Sequence, residues 1–552
     1  MNETAAVAPE EDTRRESAAL PAVSEPNGAQ ALVQTLLDSG VEVCFANPGT
    51  SEMHFVAALD VFPRMRGVLC LFEGVATGAA DGYGRMAGRP AATLLHLGPG
   101  LANGLANLHN ARRAGTPILN VVGDHALHHK PLDAPLESDI DALAGTVSGW
   151  LHRSRSAAEV APDAAAAVAA ARNPAGSPRS PQHTGTSGAI STLIVPADVS
   201  WTPGARPAGP LPVAAAAVTP PDVIESVAAA LAGGWAGVLL LGGAALGEDG
   251  QRAANRIEQA TRARVFAEFW PARQRRGAGI PAVPSLSYRG EDVRAQLDGA
   301  QHVVLAGARE PVASFAYPGQ DGRLIPPGAR VHRLAEIGGD VVDALTRLAD
   351  LVAPEVEPVP AALARPARPT GPLTAQNWAA VIGALLPAEA IVCDESITAG
   401  MATLPAATAG APAHDVLGLT GLAIGQGLPL AVGAAIASPQ RPVICLQADG
   451  SAMYTLSALW THAREDLNIT TVLLNNRSYA ILRAELDRVG AVAGRAAGDL
   501  LDLSGPNLDF VSLAVGHGVP ATRATTAEEL AEQFGRALLE PGPHLIEAIL
   551  AG

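Results

Sequence analysis

Two short apolar runs, Val443 to Leu446 and Thr470 to Leu474, each end in polar residues that turn the chain. The first stops at Ala448-Asp449-Gly450, where an acid and a glycine mark a turn; the second, rich in β-branched residues, stops at Asn475-Asn476. Between them, Met453, Leu456, Leu459, Trp460 and Ala463 recur at helical spacing after Ser451. Strand, acid turn, helix, strand, amide turn is a β-α-β unit, and such a crossover makes the two strands parallel. Both polar turns then lie at the carboxyl edge of a parallel sheet, where ligands bind in folds of this kind.

That topology predicts that Asp449 and Asn476, distant in sequence, meet at one edge. A carboxylate, an amide oxygen and a backbone carbonyl, completed by phosphate oxygens, form a hard oxygen shell suited to Mg²⁺. Gly450 lets the backbone approach closely, and the N–H groups opening the next helix favour an anion. The same residues also suit a plain Asp-Gly turn and a pair of loop-capping amides.

The segment resembles the fingerprint of thiamine-diphosphate-dependent enzymes, an acid-glycine turn followed one β-α-β unit later by two asparagines. The resemblance implies that Asp449, Asn476 and the backbone of Ser478 hold Mg²⁺. Ala448 stands where the family usually has glycine. Gly450, Ser451 and Tyr454 fall beside the phosphates of thiamine diphosphate, and Thr398, in DESITAG, matches a position on the diphosphate side. In GLTGLAIGQGLP the resemblance gives Leu422 a carbonyl that receives the cofactor's amino group. It gives Ile424 the bulky side chain that bends the cofactor, although core packing is an equally simple account of that residue. Glu73, expected at the end of the strand VLCLFEG, corresponds to the glutamate that hydrogen-bonds the aminopyrimidine ring; read without the family it is a helix cap. A carboxyl in an apolar site shares a proton readily with a ring nitrogen.

The likeness covers the chain after its first residues and is nearest to the acetolactate synthase and benzoylformate decarboxylase group. It implies three α/β domains with doubly wound parallel sheets. Residues 1–27 form a Pro- and Ala-rich leader, expected to be disordered and lacking the form of a signal peptide. Strand- and helix-period segments alternate over 28–200, the pyrimidine-binding domain, interrupted by a Pro-, Ser- and Gly-rich insertion at 172–191. Pro-rich passages flank a central Rossmann-like domain, 218–352, whose glycines lack GxGxxG and read as structural. The diphosphate-binding domain occupies 370–552.

A net charge of −16 argues against nucleic acid and anionic membranes as partners, and no apolar run reaches membrane-span length. Cys44, Cys70, Cys393 and Cys445 have neither metal nor disulfide spacing, which suits a reducing cytoplasm. Lys130 is the only lysine, so Schiff-base chemistry rests on it alone. His125, His128 and His129 beside it are spaced too irregularly for a metal cluster and read as a loop.

By the same resemblance, Thr50 in ANPGTSE lies where benzoylformate decarboxylases place a serine against the substrate carboxylate. His96 in LLHLGPG falls at the separation from Glu73 of that group's catalytic histidine; a loop histidine is the simpler reading. Around Ser314 the sequence lacks that group's second histidine, and after Asn476 it lacks the Met and Trp of acetolactate synthases. The function implied is a thiamine-diphosphate- and Mg²⁺-dependent 2-oxo acid decarboxylase or carboligase, acting through a C2 ylid and an enamine on a small 2-oxo acid. An acetolactate synthase-type subunit joining two 2-oxo acids is the alternative. An alternative of another class, a silent cofactor-binding paralogue, is opposed by Glu73, Asp449 and Asn476 occurring together. FAD enters only through the acetolactate synthase likeness; no motif supports it. The family architecture further implies a homodimer or homotetramer with sites between subunits.

Overall fold

Strand β4 (Ile118–Asp124) is buried at all seven positions, the signature of a strand covered on both faces. It sits inside a parallel sheet with β1 (Val43–Asn47), β2 (Arg66–Leu69), β3 (Ala91–Leu95), β5 (Trp150–Arg153) and β6 (Ile190–Pro196), in the order β2-β1-β3-β4-β6-β5. The computed structural model describes residues 25–173, 190–233 and 236–551. Residues 1–24 of the expected leader and 174–189 of the expected insertion therefore lie outside the described residues.

The central sheet contains β7 (Gly237–Leu241) and β8 (Arg264–Ala267) and, beyond a short strand β9 (Gln274–Arg276), β10 (His302–Ala306) and β11 (Arg330–Ala335). Its order is β11-β10-β7-β8, all parallel. The third sheet adds β12 (Ile391–Glu395), β13 (His414–Gly418), β14 (Val443–Ala448), β15 (Ile469–Asn475), β16 (Ala521–Ala524) and β17 (His544–Ile549), ordered β16-β17-β15-β14-β12-β13-β9. The fold is thus three parallel-sheet α/β domains, with one antiparallel exception. β9, inside the expected central domain, runs antiparallel to β13 at the edge of the third sheet.

Small residues join the first and third domains. The helix Glu73–Ala87 crosses the helix Gly427–Ala437 so closely that a Cβ on Gly82 would stand 2.0 Å from the Leu430 carbonyl, and one on Gly433 1.8 Å from the Ala79 carbonyl. One apolar core, including Val75, Ala76, Leu428 and Ala431, runs through this contact, whereas the central domain has a core of its own.

Two local expectations differ in detail. β2 ends at Leu69, so Glu73 opens a helix rather than ending a strand. The helix expected from Ser451 is broken into Asp449–Ala452 and Ala458–Arg464. The break is tied down by Thr455, whose hydroxyl donates to the Gly425 carbonyl at 2.9 Å.

Candidate active site

β14 and β15 run side by side in register, Ala448 opposite Leu474, so Asp449 and the two asparagines emerge at one sheet edge. The buried Asp449 carboxylate accepts the N–H of Gly450 at 2.8 Å and of Arg477 at 2.6 Å. Burial raises its pKa, and these amides oppose the shift. Arg477 takes a left-handed backbone (φ 56°), which turns its N–H toward both Asp449 and the Asn475 side-chain oxygen, 3.1 Å away. Asn476 folds its own oxygen onto the Ser478 N–H at 3.0 Å, and no backbone hydrogen bond among the described residues ends on the Ser478 carbonyl. The Asp449 carboxylate, the Asn476 amide oxygen and the free Ser478 carbonyl therefore belong to two loops that leave one sheet edge side by side. These donors fit a magnesium ion.

Gly450 leaves room for the Tyr479 ring, which a Cβ would meet at 2.5 Å. The Ser451 hydroxyl is engaged within the protein, receiving Gln447 Nε2 at 2.6 Å and donating to the Ala448 carbonyl. Tyr454 and Thr398 are both exposed.

The segment Gly421–Gly427 is held from two sides. His109 reaches the Gly421 carbonyl, Asn110 brackets Ala423 through its N–H and carbonyl, and Asn107 donates to the Gly425 carbonyl. The carbonyls of alternate residues 421, 423 and 425 thus face the helix Leu97–Ala114, while none of these bonds ends on Leu422. Leu422 and Gly425 both have positive φ, 61° and 94°. From below, the Glu395 carboxylate accepts the N–H of Gly425 and of Gly427, each at 2.6 Å, and Gln447 Nε2 at 3.0 Å. Glu395 was not singled out from sequence. It sits at a strand end like any capping acid, and its partners lie 30 to 52 residues away.

In the first domain, Glu73 is buried and accepts Asn103 Nδ2 at 2.9 Å; Gly100 lies close enough that a Cβ would stand 3.1 Å from its Oε1. His96 caps the helix Leu97–Ala114, and its Nδ1 lies 2.9 Å from Glu52 Oε2. The same oxygen takes the Gly49 N–H at 2.7 Å, while Glu52 Oε1 is buried without a partner. Burial raises the Glu52 pKa, opposed by the neighbouring imidazole. Gly49 and Gly123 make room, since a Cβ on either would collide with the His96 ring or with Glu52. Thr50 begins the single turn Thr50–Glu52 and is exposed. Glu52 was also missed, although it lies in the same ANPGTSE motif as Thr50. A third acid, Glu547 on β17, is fully buried between Asn475 Nδ2 at 2.7 Å and Arg523 Nε at 2.8 Å, and so steadies the asparagine loop.

Among the described residues no group of three His, Cys, Asp or Glu side chains is gathered for a metal. The rings of His125 and His129 stand 5.4 Å apart, His128 approaches Asp198, and Lys130 is paired with Asp124 and Glu137. All four cysteines are free and buried, and no described helix is long and apolar enough to cross a membrane.

Residues 26–144 match the N-terminal TPP binding domain of thiamine pyrophosphate enzymes, and residues 401–548 match the C-terminal one. A Mycobacterium tuberculosis protein provisionally named acetolactate synthase large subunit IlvX is 60% identical over 95% of this chain and 99% of its own. Benzoylformate decarboxylase of Pseudomonas aeruginosa is 31% identical over 94% and 97%. The structure of a Rhodococcus jostii thiamine diphosphate-dependent 4-hydroxybenzoylformate decarboxylase superposes with a TM-score of 0.81 at 26% identity, covering 95% of this chain and 99% of that one. The chain belongs to the thiamine-diphosphate-dependent enzymes, in the group that contains acetolactate synthases and benzoylformate decarboxylases.

Proposed function

We propose that this enzyme is a thiamine-diphosphate- and magnesium-dependent 2-oxo acid decarboxylase that releases an aldehyde, with carboligation as a side reaction. The observation that carries the reading is the pair formed by His96 and the buried Glu52. An acid that holds one ring nitrogen of an imidazole fixes the ring's orientation, leaving the other nitrogen to move a proton.

The residues divide the work as follows. Asp449, Asn476 and the Ser478 carbonyl would hold Mg²⁺, which in turn would hold the diphosphate. Leu422 would offer its carbonyl to the cofactor's amino group, Ile424 would support the cofactor, and Glu395 keeps their loop in place. Glu73 would hydrogen-bond the aminopyrimidine ring. Thiamine diphosphate, when bound, supplies the carbon nucleophile for the 2-oxo acid and accepts the electron pair left when CO₂ departs. His96 delivers a proton from Nε2, and Thr50 meets the substrate carboxylate. Leu71, Met453 and Tyr454 are exposed apolar side chains beside Glu73 and Asp449, which supports a second subunit covering the site in a homodimer or homotetramer.

The alternative, an acetolactate synthase-type reaction, is favoured by the 60% identical relative and by Ser314, exposed where a second histidine would assist protonation. The test is product analysis with a panel of 2-oxo acids, with and without aldehyde acceptors. Aldehyde and CO₂ in equal amounts support decarboxylation. Acetolactate as the main product from pyruvate alone supports the alternative. CO₂ from no 2-oxo acid rules out both.

A further inference from the structure

At the carboxyl edge of the central sheet, a cavity of about 390 Å³ lies where all three domains meet. The loops after β7, β8 and β10 form its floor, the last turn of the helix Leu97–Ala114 forms one wall, and Leu422 lies in another. Three guanidinium groups line it, Arg112 and Arg113 from the first domain and Arg309 from the central one, and the Glu268 carboxylate shares the lining.

The charges are not paired with one another. Among the described residues, none of these four groups has an opposite charge within 4.0 Å. Arg309 gives one N–H to the Arg113 carbonyl at 3.2 Å, but the Nε of Arg309 and the Nε of Arg112 are buried without any acceptor. Burial and mutual repulsion lower the pKa of Arg112 and Arg309, and burial raises that of Glu268. Glu310 also lines the cavity but is committed to Arg333 at 2.7 Å, and burial lowers the pKa of His109. The cavity thus carries an excess of two positive charges. Basic residues in a last helical turn satisfy the helix dipole. That does not explain why a third arginine from another domain joins them, nor why two desolvated donors point at no acceptor, an arrangement that costs free energy unless an anion completes it.

Flavin does not fit this edge. In dinucleotide folds a pyrophosphate rests on the N-terminus of the helix after the first strand. Here that helix, Glu248–Thr261, carries Glu248 and Asp249 in its first turn, and two carboxylates repel a phosphate. The volume also lies near the lower limit of small-molecule sites. One wall is apolar and flat, with Phe269 and Trp270 stacked at 4.5 Å.

We propose that this cavity binds a compact organic dianion, a dicarboxylate or a phosphate monoester, held by Arg112, Arg113 and Arg309 with its apolar part against Trp270. An occupant contacts Leu422 and so reaches the loop that carries Ile424. Ser314 and Leu422 also line the cavity, so it adjoins the proposed active site, while the three arginines take no part in the proposed reaction.

The test is calorimetric titration of the full-length protein in its native assembly with malonate, phenyl phosphate and FAD, with and without thiamine diphosphate and Mg²⁺. Saturable binding of malonate or phenyl phosphate is expected, weakened about tenfold or more by Arg309→Met or Arg112→Met. Melting temperature in the absence of an anion should not fall, and thiamine diphosphate uptake should be unchanged, in those variants. The tighter of the two probes identifies a dicarboxylate or a phosphate ester. Arg112 makes no side-chain hydrogen bond among the described residues, so its variant keeps the test open if Arg309→Met does not fold. The proposal is overturned if neither dianion binds saturably, if both variants bind as tightly as the wild type, or if FAD binds and either dianion displaces it.

Discussion

Four acids near the site, Glu52, Glu395, Asp449 and Glu547, are buried, and each accepts hydrogen bonds from backbone amides or from a side chain that orients a loop. Asp449 was legible in the sequence because an acid-glycine pair after an apolar run is a turn, and a turn after a buried strand lies at the ligand edge. Glu52 and Glu395 were not, because an acid at a strand end or in a turn is ordinarily a cap, and only the partners reveal otherwise. Glu73→Gln should leave a folded protein whose kcat is at least ~10²-fold lower, checked by steady-state assay beside circular dichroism. Glu52→Gln should lower kcat by about 10²-fold and remove the acidic limb of the pH–rate profile. In the wild type that limb lies above the ordinary glutamate range, because burial raises the Glu52 pKa. The stability effect has the opposite direction. A carboxyl with a raised folded pKa stabilises the fold at low pH and loses that contribution as pH rises through the raised value. Denaturant melts should therefore show the wild type's advantage over Glu52→Gln shrinking as pH increases. A constant difference would contradict the assignment.

At the scale of elements, the contact between the helices Glu73–Ala87 and Gly427–Ala437 is made possible by glycine and made specific by one buried ion pair. Asp81 receives two bonds from Arg85, one from Thr116 and one from Gln426, and Arg85 continues to the Gly418 carbonyl and Thr420. Asp81→Asn leaves the Arg85 charge buried without its counter-ion and should cost roughly 3–5 kcal/mol, measured by urea unfolding. Gly82→Ala places a methyl against the Leu430 carbonyl, a backbone atom that cannot move aside alone, and should cost about 1–3 kcal/mol. If Gly82→Ala unfolds at the wild-type denaturant concentration, the close crossing is not required. The small-residue helix was readable from VATGAADGYGRMAGR, but its partner was not, since glycine spacing specifies close approach without naming the element approached. The loss of β9 to the third sheet has the same origin. A three-residue strand has too little pattern to declare which edge it will join.

For the whole molecule, the apolar side chains left exposed around Glu73 and Asp449 bear on assembly. Sedimentation velocity should detect a dimer or tetramer at micromolar concentration, with specific activity falling on dilution as subunits separate. An active monomer would refute a shared site. Thiamine diphosphate with Mg²⁺, at a hundredfold excess over its Kd, should stabilise the native state by about 2.7 kcal/mol, and Asp449→Asn should abolish that increment in thermal melts.

What the sequence by itself determined is the β-α-β unit with its acid and amide turns, the three-domain division and the resemblance that identifies the cofactor. These depend on local periodicity and on residues a short interval apart, which propagate directly into backbone geometry. The His96–Glu52 pair, the Glu395 clamp, the Asp81–Arg85 hub and the arginine cavity were decided only by tertiary structure. Each joins groups from different strands or domains, and the desolvation that sets their charge exists only after those surfaces have closed on one another.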